Sequence, residues 1–331
     1  MIKILITGGY GFIGSCFVLK QIKSGNLVVN IDNLSYSANL QNLAEIENNK
    51  NYHFIKNDIG NQNLITQTLE KFDIDWVVNF AAESHVDNSI SGPAVFIKTN
   101  INGTFSMLSG SLEYWQKLKG NKKDNFRFLH ISTDEVYGSL NENDPKFDEK
   151  TTYKPNSPYS ASKAASDHLV RAWNKTYGLP TLTTNCSNNF GPRQHREKLI
   201  PTVIFSCLND KKIPVYGNGK NIRDWIYVED HCNGVELALQ KGKIGETYCF
   251  GGDAEITNIK IVTLICKILD QLKPRSDGKS YKEQISFVAD RLGHDLRYAI
   301  DDSKAKNELG FSLSKNFEER LEETIKWYIN L

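Results

Sequence analysis

A tyrosine and a lysine four positions apart are the first candidates for chemistry. Tyr159 and Lys163 are separated by three residues, and this spacing puts two side chains on one face of a helix. A phenol with a pKa near ~10 is a poor base at neutral pH, but a neighbouring ammonium favours the phenolate. Lowering that pKa by about three units takes roughly 4 kcal/mol. The pair therefore indicates a proton-transfer site, although the same spacing also arises by chance.

Two adjacent acids form the second candidate. Thr133, Asp134 and Glu135 follow an apolar run, residues 126–132, that predicts a buried strand. Two carboxyl groups in different environments can take opposite roles, one giving a proton and the other removing one. The alternative is a solvated acidic turn after the strand. The position of the pair at the carboxyl end of this strand favours the catalytic interpretation.

Three glycines near the start of the chain indicate a phosphate site. Gly8, Gly11 and Gly14 lie between a predicted strand, residues 3–7, and a predicted helix. Such a turn lets the backbone approach a dinucleotide pyrophosphate at the helix N-terminus. Asp32 ends the second predicted strand, where a carboxylate accepts both ribose hydroxyls and repels a 2′-phosphate, so NAD is favoured over NADP. The alternatives are a structural glycine turn and a helix-capping aspartate.

These residues need a scaffold that brings their strand ends together. The predicted strands of the first half are residues 3–7, 27–32, 52–57, 76–80, 126–132 and 181–186, and the predicted helices include 12–24, 93–118 and 160–177. Alternating strands and helices predict an α/β fold with a Rossmann-type doubly wound parallel sheet.

The second half of the chain has a less regular pattern. It has predicted loops at 209–212, 217–221 and 273–282, and predicted helices at 229–240, 257–272 and 314–330. We expect a NAD-binding domain over 1–186, joined by some later segments. A smaller, mixed α/β C-terminal lobe over 187–331 would bind the substrate.

The bulk composition excludes several classes of function. The 331 residues carry a formal net charge of +1, with 40% hydrophobic and 24% charged residues. Near-zero charge without a basic stripe disfavours nucleic acid, and no apolar run approaches the ~20 residues of a membrane helix. The six scattered cysteines and seven histidines show no metal-ligand spacing, so we expect no metal and a reducing, cytoplasmic setting.

Taken together, the motifs resemble the extended short-chain dehydrogenase/reductase family along nearly the full length, and within it the nucleotide-sugar 4,6-dehydratases. The resemblance rests on residues 81–87, 132–138, 159–163, 188–192, 223–225 and 293–295. The acid pair is the discriminating element, because related epimerases usually carry apolar or small residues there.

The resemblance implies a role for each residue of the catalytic set. Tyr159 would take the proton from the sugar O4, with Thr133 bonded to that oxygen and Lys163 holding the nicotinamide ribose. NAD would accept the hydride from C4 and return it to C6. Glu135 would remove the C5 proton, and a protonated Asp134 would give its proton to the departing 6-hydroxyl. NAD is regenerated in each turnover, so it should stay bound.

The resemblance and the strand ends also imply two sets of binding residues. We expect contacts with the cofactor from Gly8, Gly11, Phe12, Ile13, Gly14, Asp32, Asn33, Ser35, Asp58, Ile59, Phe80, Ala81, Ala82, Ser84, Thr99, Tyr159, Lys163 and Asn189. We expect contacts with the nucleotide sugar from Ser84, Thr133, Asn188, Lys198, Leu199, Pro214, Tyr216, Arg223, Cys249, Arg291 and His294. Arg223 is the first choice for the diphosphate, because a guanidinium can grip two oxygens.

The chain departs from the family pattern at positions that the resemblance places mainly near the nucleotide, namely Asn88, Phe190, Arg193, Cys249 and Leu292. The expected substrate is dTDP-glucose, with UDP-glucose or another nucleotide hexose as the alternative. A nucleotide-sugar 4-epimerase is the main rival reaction, and it would not need Asp134 and Glu135. A non-catalytic NAD sensor is a further rival, which an intact Tyr159 and Lys163 disfavour.

Two predicted helices, 93–118 and 160–177, carry apolar residues on more than one face. Examples are Phe96, Ile97, Phe105, Leu108, Leu169, Val170 and Trp173. A sheet covers only one face of a helix, and family members pair these helices across a dimer axis. We therefore expect a homodimer built on a four-helix bundle, the alternative being that the second lobe covers the extra face.

Overall fold

The strands found in the structure extend well beyond the first half of the chain. A computed structural model describes residues 1–291 and 293–331, so Leu292 lies outside the described residues. The strands are β1 Lys3–Thr7, β2 Leu27–Asp32, β3 Tyr52–Lys56, β4 Trp76–Asn79, β5 Arg127–Thr133, β6 Thr181–Cys186, β7 Asn188–Phe190, β8 Ile213–Tyr216, β9 Ile222–Tyr227, β10 Thr247–Phe250, β11 Glu255–Thr257 and β12 Ile285–Val288.

The helices alternate with these strands in the first half and dominate the second. They are α1 Phe12–Lys23, α2 Gln62–Phe72, α3 Val86–Ser91, α4 Pro93–Phe96, α5 Thr104–Lys117, α6 Gly120–Asn125, α7 Pro158–Tyr177, α8 Leu199–Leu208, α9 Val228–Lys241, α10 Asn258–Leu272 and α11 Phe317–Ile329. Short 3-10 helices cover Leu40–Ile46, Asp134–Tyr137 and Tyr281–Gln284, and π-helical turns cover Ile97–Gly103 and Ala305–Leu309.

The predicted fold class is confirmed. In the part of the chain that the structure describes, seven parallel strands form one sheet in the order β10-β6-β5-β4-β1-β2-β3. One buried apolar cluster packs against each face, with α1 and α9 on one side and α2, α5 and α7 on the other. The order reverses between β1 and β4, so a crevice opens there at the carboxyl ends of the strands.

The later half forms a smaller lobe with its own apolar cluster. Helices α8, α10 and α11 pack with β8 and β9, and its small sheets have the orders β11-β9-β7 and β12-β8. Strand β10 leaves this lobe and pairs with β6 at the edge of the main sheet. The sequence pattern did not indicate this seventh strand, because its position depends on a partner about sixty residues away.

One predicted helix is interrupted. Residues 93–118 were expected as a single helix, but the structure has α4, a π-helical turn and α5, and the helix ends at Lys117. A π turn inserts one extra residue into the helical repeat and so changes which residues face the sheet. None of the helices in residues 1–291 and 293–331 has the length and hydropathy needed to cross a bilayer.

Candidate active site

A cavity of about 270 Å³ lies in the crevice at the carboxyl ends of the parallel strands. Its wall is built from the ends of β1, β2, β4, β5 and β6, together with the start of α7 and the segment that follows β7. Every residue of the predicted catalytic set lines it, namely Thr133, Asp134, Glu135, Tyr159 and Lys163. We call these five residues the catalytic end of the cavity.

The glycine turn fits a dinucleotide at the opposite end. Gly8 has a φ of +69°, and a Cβ on it would lie 2.8 Å from the backbone nitrogen of Ala81. A Cβ on Gly14 would lie 2.2 Å from the carbonyl oxygen of Gly8, so both positions exclude a side chain. Helix α1 starts after Gly11 without a side-chain cap. Its first amides therefore face the cavity as donors for a pyrophosphate.

Asp32 holds the neighbouring backbone in place and also lines the cavity. Its carboxylate accepts hydrogen bonds from the backbone nitrogens of Tyr10 at 2.9 Å and Leu34 at 2.8 Å. Burial raises its pKa, and these two hydrogen bonds oppose that rise. A carboxylate can accept about four hydrogen bonds, so Asp32 keeps acceptor capacity for the hydroxyls of a ribose.

Most of the other predicted cofactor residues also line the cavity, and one does not. Those on the wall are Phe12, Ile13, Asn33, Ser35, Ile59, Phe80, Ala81, Ala82, Ser84, Thr99 and Asn189. Asp58 lies off the wall, because its carboxylate turns back to accept a hydrogen bond from Gly60 N at 2.8 Å. Its neighbour Asn57 lines the cavity instead, so the prediction for Asp58 is corrected by one position.

Local sequence fixes the start of the catalytic helix. Ser157 and Ser160 form a capping box, and Pro158 occupies the first turn of α7, where its missing N–H costs nothing. Tyr159 and Lys163 are both buried, one turn apart. The Lys163 ammonium donates to the carbonyl oxygen of Ile131 at 2.6 Å. This bond anchors the lysine to β5, beneath the cavity.

Burial dominates the proton affinities of this pair. It lowers the pKa of Lys163 to about 8. Burial, and then the charge of Glu135, raise the pKa of Tyr159 well above its usual value, against a lowering hydrogen bond with Thr133. The expectation that Lys163 produces a phenolate is therefore not met by these protein groups alone. These groups favour the protonated phenol of Tyr159.

The acid pair sits in a tight turn directly after β5. Thr133 caps the 3-10 helix, accepting from Glu135 N at 3.3 Å, and its hydroxyl donates to Asp134 Oδ1 at 3.2 Å. Asp134 is 1% exposed, and its Oδ2 has no hydrogen-bond partner among the described residues. A buried oxygen of this kind favours the protonated carboxyl, which can then donate to a ligand.

The two acids differ in their surroundings. Burial raises the pKa of Asp134 well above its usual value, and the charge of Glu135 adds to this rise. Burial also raises the pKa of Glu135, but the cations of Lys198 and Arg223 oppose it. Asp134 is therefore held as the acid, while Glu135 has the cationic neighbours that favour a carboxylate.

The predicted nucleotide residues fall into two groups. Ser84, Asn188 and Lys198 line the cavity, and Lys198 donates to the carbonyl oxygen of Ser84 at 3.2 Å. Beyond the wall lie Leu199, Pro214, Tyr216, Arg223, Arg291 and His294. Leu199 begins α8 directly after Lys198, and Pro214 shares the exposed face of β8 with Tyr216.

Four of these residues form what we call the nucleotide-side cluster: Tyr216, Arg223, Arg291 and His294. The Arg291 guanidinium lies 5.3 Å from the Tyr216 ring centre, and that ring packs against His294. Arg223 stacks on Tyr298 at 4.3 Å. The charges of both arginines lower the pKa of Glu135. The cluster therefore acts electrostatically on the catalytic end of the cavity.

Cys249 is not where the sequence-based prediction needs it. It lies on β10 and is fully buried, with its sulfur 3.5 Å from the Tyr137 hydroxyl. Its side chain packs in a small apolar cluster instead of lining the cavity. Its contact with the substrate stays a prediction, and the structure places Cys249 on β10, off the cavity wall.

Several wall residues were not predicted. They include Ser37, Glu83, Ser187, Gln194, His195 and Glu197. Glu197 accepts a hydrogen bond from the Tyr36 hydroxyl at 3.2 Å, and Tyr36 packs edge-on against His195. Adjacency to predicted residues was the only signal in the sequence, since Ser187 precedes Asn188 and Glu197 precedes Lys198.

The geometry defines a dinucleotide-dependent enzyme with a buried acid pair, and comparison with known proteins identifies its class. The family model described as GDP-mannose 4,6 dehydratase matches residues 5–324, so the chain belongs to that family. The resemblance to nucleotide-sugar dehydratases of the short-chain dehydrogenase/reductase type is thereby confirmed.

Particular relatives are more specific. The dTDP-glucose 4,6-dehydratase of Xanthomonas campestris pv. campestris is 55% identical over 325 residues, covering 98% of this chain and 92% of the relative. A crystal structure of the Bacillus anthracis dTDP-glucose 4,6-dehydratase in complex with NAD is 42% identical, with a TM-score of 0.88, covering 100% and 97% of the two chains. That of the Streptomyces venezuelae dTDP-glucose 4,6-dehydratase with NAD bound is 40% identical, with a TM-score of 0.89, covering 99% and 97%.

Proposed function

We propose that this chain is a NAD-dependent 4,6-dehydratase that converts dTDP-glucose to dTDP-4-keto-6-deoxyglucose and water. The main observation behind this proposal is the buried pair Asp134 and Glu135 beside Tyr159, in a cavity whose far end fits a dinucleotide. A 4-epimerase has no use for two acids of opposite function. The 55% and 42% identical relatives named as dTDP-glucose 4,6-dehydratases support the same reaction and substrate.

The residues divide the work of holding the ligands. The glycine turn would hold the pyrophosphate of NAD, Asp32 the adenosine ribose and Lys163 the nicotinamide ribose. NAD, when bound, supplies the acceptor for the sugar's C4 hydride and returns that hydride to C6. We infer that residues 1–186, joined by later segments such as β10, form the cofactor domain and that 187–331 form the nucleotide-sugar lobe. The pairing of β10 with β6 and the separate apolar cluster of the later half support this division.

The catalytic end manages three protons. Tyr159 would take the proton of the O4 hydroxyl, to which Thr133 also bonds. Glu135 would remove the C5 proton, which a 4-ketone acidifies. Asp134 would give its proton to the 6-hydroxyl, which leaves as water. The raised pKa of Asp134 fits a donor at neutral pH, and the cations near Glu135 fit a base. Proton transfer by a placed group contributes typically ~10²–10⁴ in rate.

A reaction in heavy water tests the assignment. With dTDP-glucose as substrate, we expect a 4-keto-6-deoxy product with solvent deuterium at C5. Glu135→Gln, a variant of nearly the same shape, should lose that deuterium because its amide cannot remove the C5 proton. A 4-hydroxy product with all its oxygen retained would refute the dehydratase. Parallel reactions with UDP- and CDP-glucose test the base, and turnover lower than with dTDP-glucose is expected for both.

We also propose a homodimer built on α5 and α7, within a four-helix bundle. Phe96, Leu108 and Val170 are buried against the sheet side, whereas Ile97 and Phe105 are each 46% exposed on the other face. Phe105 packs edge-on against Trp173, which joins the two helices into one apolar surface. Light scattering at micromolar protein should give twice the mass of the chain, and a monomer would refute this proposal.

We further propose a reducing, cytoplasmic setting, which the six cysteines without disulfide bonds support.

A further inference from the structure

A buried carboxylate that the proposed reaction does not use lies on the same helix as the buried ammonium of Lys163. Asp167 lies one turn further along α7, so Tyr159, Lys163 and Asp167 follow each other at a spacing of four on one face of the helix. Asp167 is 5% exposed, and its Oδ2 accepts hydrogen bonds from Ser132 at 2.7 Å and Tyr153 at 3.0 Å. It is held rigidly but does not line the cavity.

His130 on β5 lies between these two charges. Its Nε2 is 3.2 Å from Lys163 Nζ and 3.5 Å from Asp167 Oδ1, and its side chain is fully buried. The Nδ1 atom is 3.2 Å from the amide nitrogen of Asn79, so Nδ1 accepts. A neutral imidazole then carries its proton on Nε2. In this tautomer the Nε2 proton lies on the side of the Asp167 carboxylate, 3.5 Å away.

The orientation of Asn79 is itself fixed. The Thr7 hydroxyl donates to Asn79 Oδ1 at 2.6 Å and accepts a hydrogen bond from Ala81 N at 3.2 Å. Only the NH₂ group of Asn79 is left for His130. A continuous polar row thus runs from the cofactor-binding strand ends to Asp167. We call Thr7, Asn79, His130 and Asp167 the polar row.

We propose that Asp167 is a positioning residue for the reaction: its carboxylate, oriented by Ser132 and Tyr153 and separated from Lys163 by His130, is the buried negative charge that keeps Lys163 protonated beneath Tyr159. An uncompensated ammonium in such a site would lose its proton. The charge of Asp167 opposes that loss by raising the pKa of Lys163. This role rests on the proposed function, because it concerns the lysine of the dehydratase site.

The groups around the pair are few, so a pH profile is interpretable. Beside His130, Lys163 and Asp167 face Cys186 from β6, and Tyr153 and Tyr137 from the segments before α7. Burial raises the pKa of Cys186 to about 12, and it raises the pKa of Tyr137 and Tyr153 further still. Burial keeps His130 neutral by lowering its pKa. Among these, only Lys163 itself, with a pKa lowered to about 8, titrates between pH 7 and pH 9.

The test is the pH dependence of kcat for Asp167→Asn, which removes the charge and keeps the shape. The part of the alkaline limb that reflects loss of the Lys163 proton should move about one pH unit lower, the low end of the shift expected from losing a nearby opposite charge, whereas a part set by the proton of Asp134 should stay in place. KM for dTDP-glucose should stay within about twofold, since Asp167 touches no ligand.

Two further variants separate charge from structure. Tyr153→Phe removes a hydrogen bond to Asp167 without removing its charge, so the alkaline limb should stay in place. Asp167→Ser is a second neutral variant, smaller and able to pair with both hydroxyls, and it should repeat the shift if Asp167→Asn does not fold. An unmoved limb in a folded neutral variant overturns the proposal. So does loss of the fold in both variants. If wild-type enzyme forms no 4-keto product, the proposed function fails instead.

Discussion

The catalytic end of the cavity and the nucleotide-side cluster are both rich in charge, but they hold it in different ways. Asp134, Tyr159 and Lys163 are buried, and burial shifts the pKa of each in the direction that favours its uncharged form. In the nucleotide-side cluster, Arg291 pairs with Asp87 at 2.6 Å, and His294 bonds to Asp290 at 2.6 Å. The His294 hydrogen bond lowers the pKa of Asp290, so that group stays charged.

The difference teaches what each region is built to do. A group that must exchange a proton needs a pKa moved toward the working pH, and burial does this for Asp134 and Lys163 but moves the pKa of Tyr159 further away. A group that must hold a diphosphate needs a constant charge, which a partly exposed ion pair preserves. Substitutions in the first region should therefore act mainly on kcat, and those in the second mainly on KM.

The largest expected effect is at Tyr159. Tyr159→Phe removes the proton acceptor of O4 and keeps the ring, so kcat should fall by ~10²–10⁴ with KM changed little. Steady-state kinetics on dTDP-glucose measure both. The matched control is Tyr114→Phe. Tyr114 lies in α5, away from the cavity, and this variant loses only the hydrogen bond from its hydroxyl to the carbonyl oxygen of Ile74. That variant should keep full turnover. Full turnover in Tyr159→Phe would instead exclude it as the base.

Asp134→Asn should separate activity from stability. Its folded pKa is raised, so below pH 3.8 the carboxyl is protonated both folded and unfolded and costs nothing. As pH rises from there toward the folded pKa, only the unfolded chain ionises, and stability is lost. An amide has no such penalty. The variant should therefore lose turnover but gain about 1–2 kcal/mol of unfolding free energy at pH 7.

Urea unfolding of wild type and Asp134→Asn at pH 5 and pH 8 measures this effect. The difference in unfolding free energy should be larger at pH 8. Asp87→Asn, in the exposed ion pair, serves as the comparison and should show little dependence on pH. If Asp134→Asn were less stable than wild type, the Asp134 carboxyl would have to make favourable hydrogen bonds in the folded protein. That result would contradict the interpretation of its Oδ2 as an oxygen without a hydrogen-bond partner.

Arg223→Lys tests the nucleotide side. The lysine keeps the charge but loses the planar fork and the stacking on Tyr298, at 4.3 Å in this structure. KM for dTDP-glucose should rise about tenfold, the effect of losing one charge-assisted hydrogen bond, while kcat changes by less than twofold. A fall in kcat larger than the rise in KM would place Arg223 with the catalytic end and remove the division between the regions.

The smallest effect is expected at Asp87. Asp87→Asn frees Arg291 from a partly exposed ion pair, and such pairs contribute about 0.2–1 kcal/mol. KM should therefore rise less than about fivefold, and the change should shrink further in high salt because exposed charges are screened. The measurement is KM at low and high salt. A change above tenfold would show that the pair does more than orient the arginine.

Local patterns were sufficient to predict the catalytic end. The strand before Asp134 and the helix after Ser157 are set by nearby residues, so motif and element could be placed together. The nucleotide side depends on strands paired across long distances. The burial of Cys249 follows from the pairing of β10 with β6, which has no local sign in the sequence. Which of residues 57 and 58 faces the cavity depends on a single turn, which the sequence pattern does not resolve.

The polar row has a consequence for how the sheet assembles. Thr7 stands directly opposite Asn79 in the pairing of β1 with β4, and Asn79 stands directly opposite His130 in the pairing of β4 with β5. The flanking positions on these strands are apolar and nearly interchangeable, so they specify alignment weakly. A slip of two residues would keep the apolar faces matched but leave three buried polar side chains unpaired. The row beneath the catalytic lysine therefore also selects the one alignment of the central strands in which the active site can form.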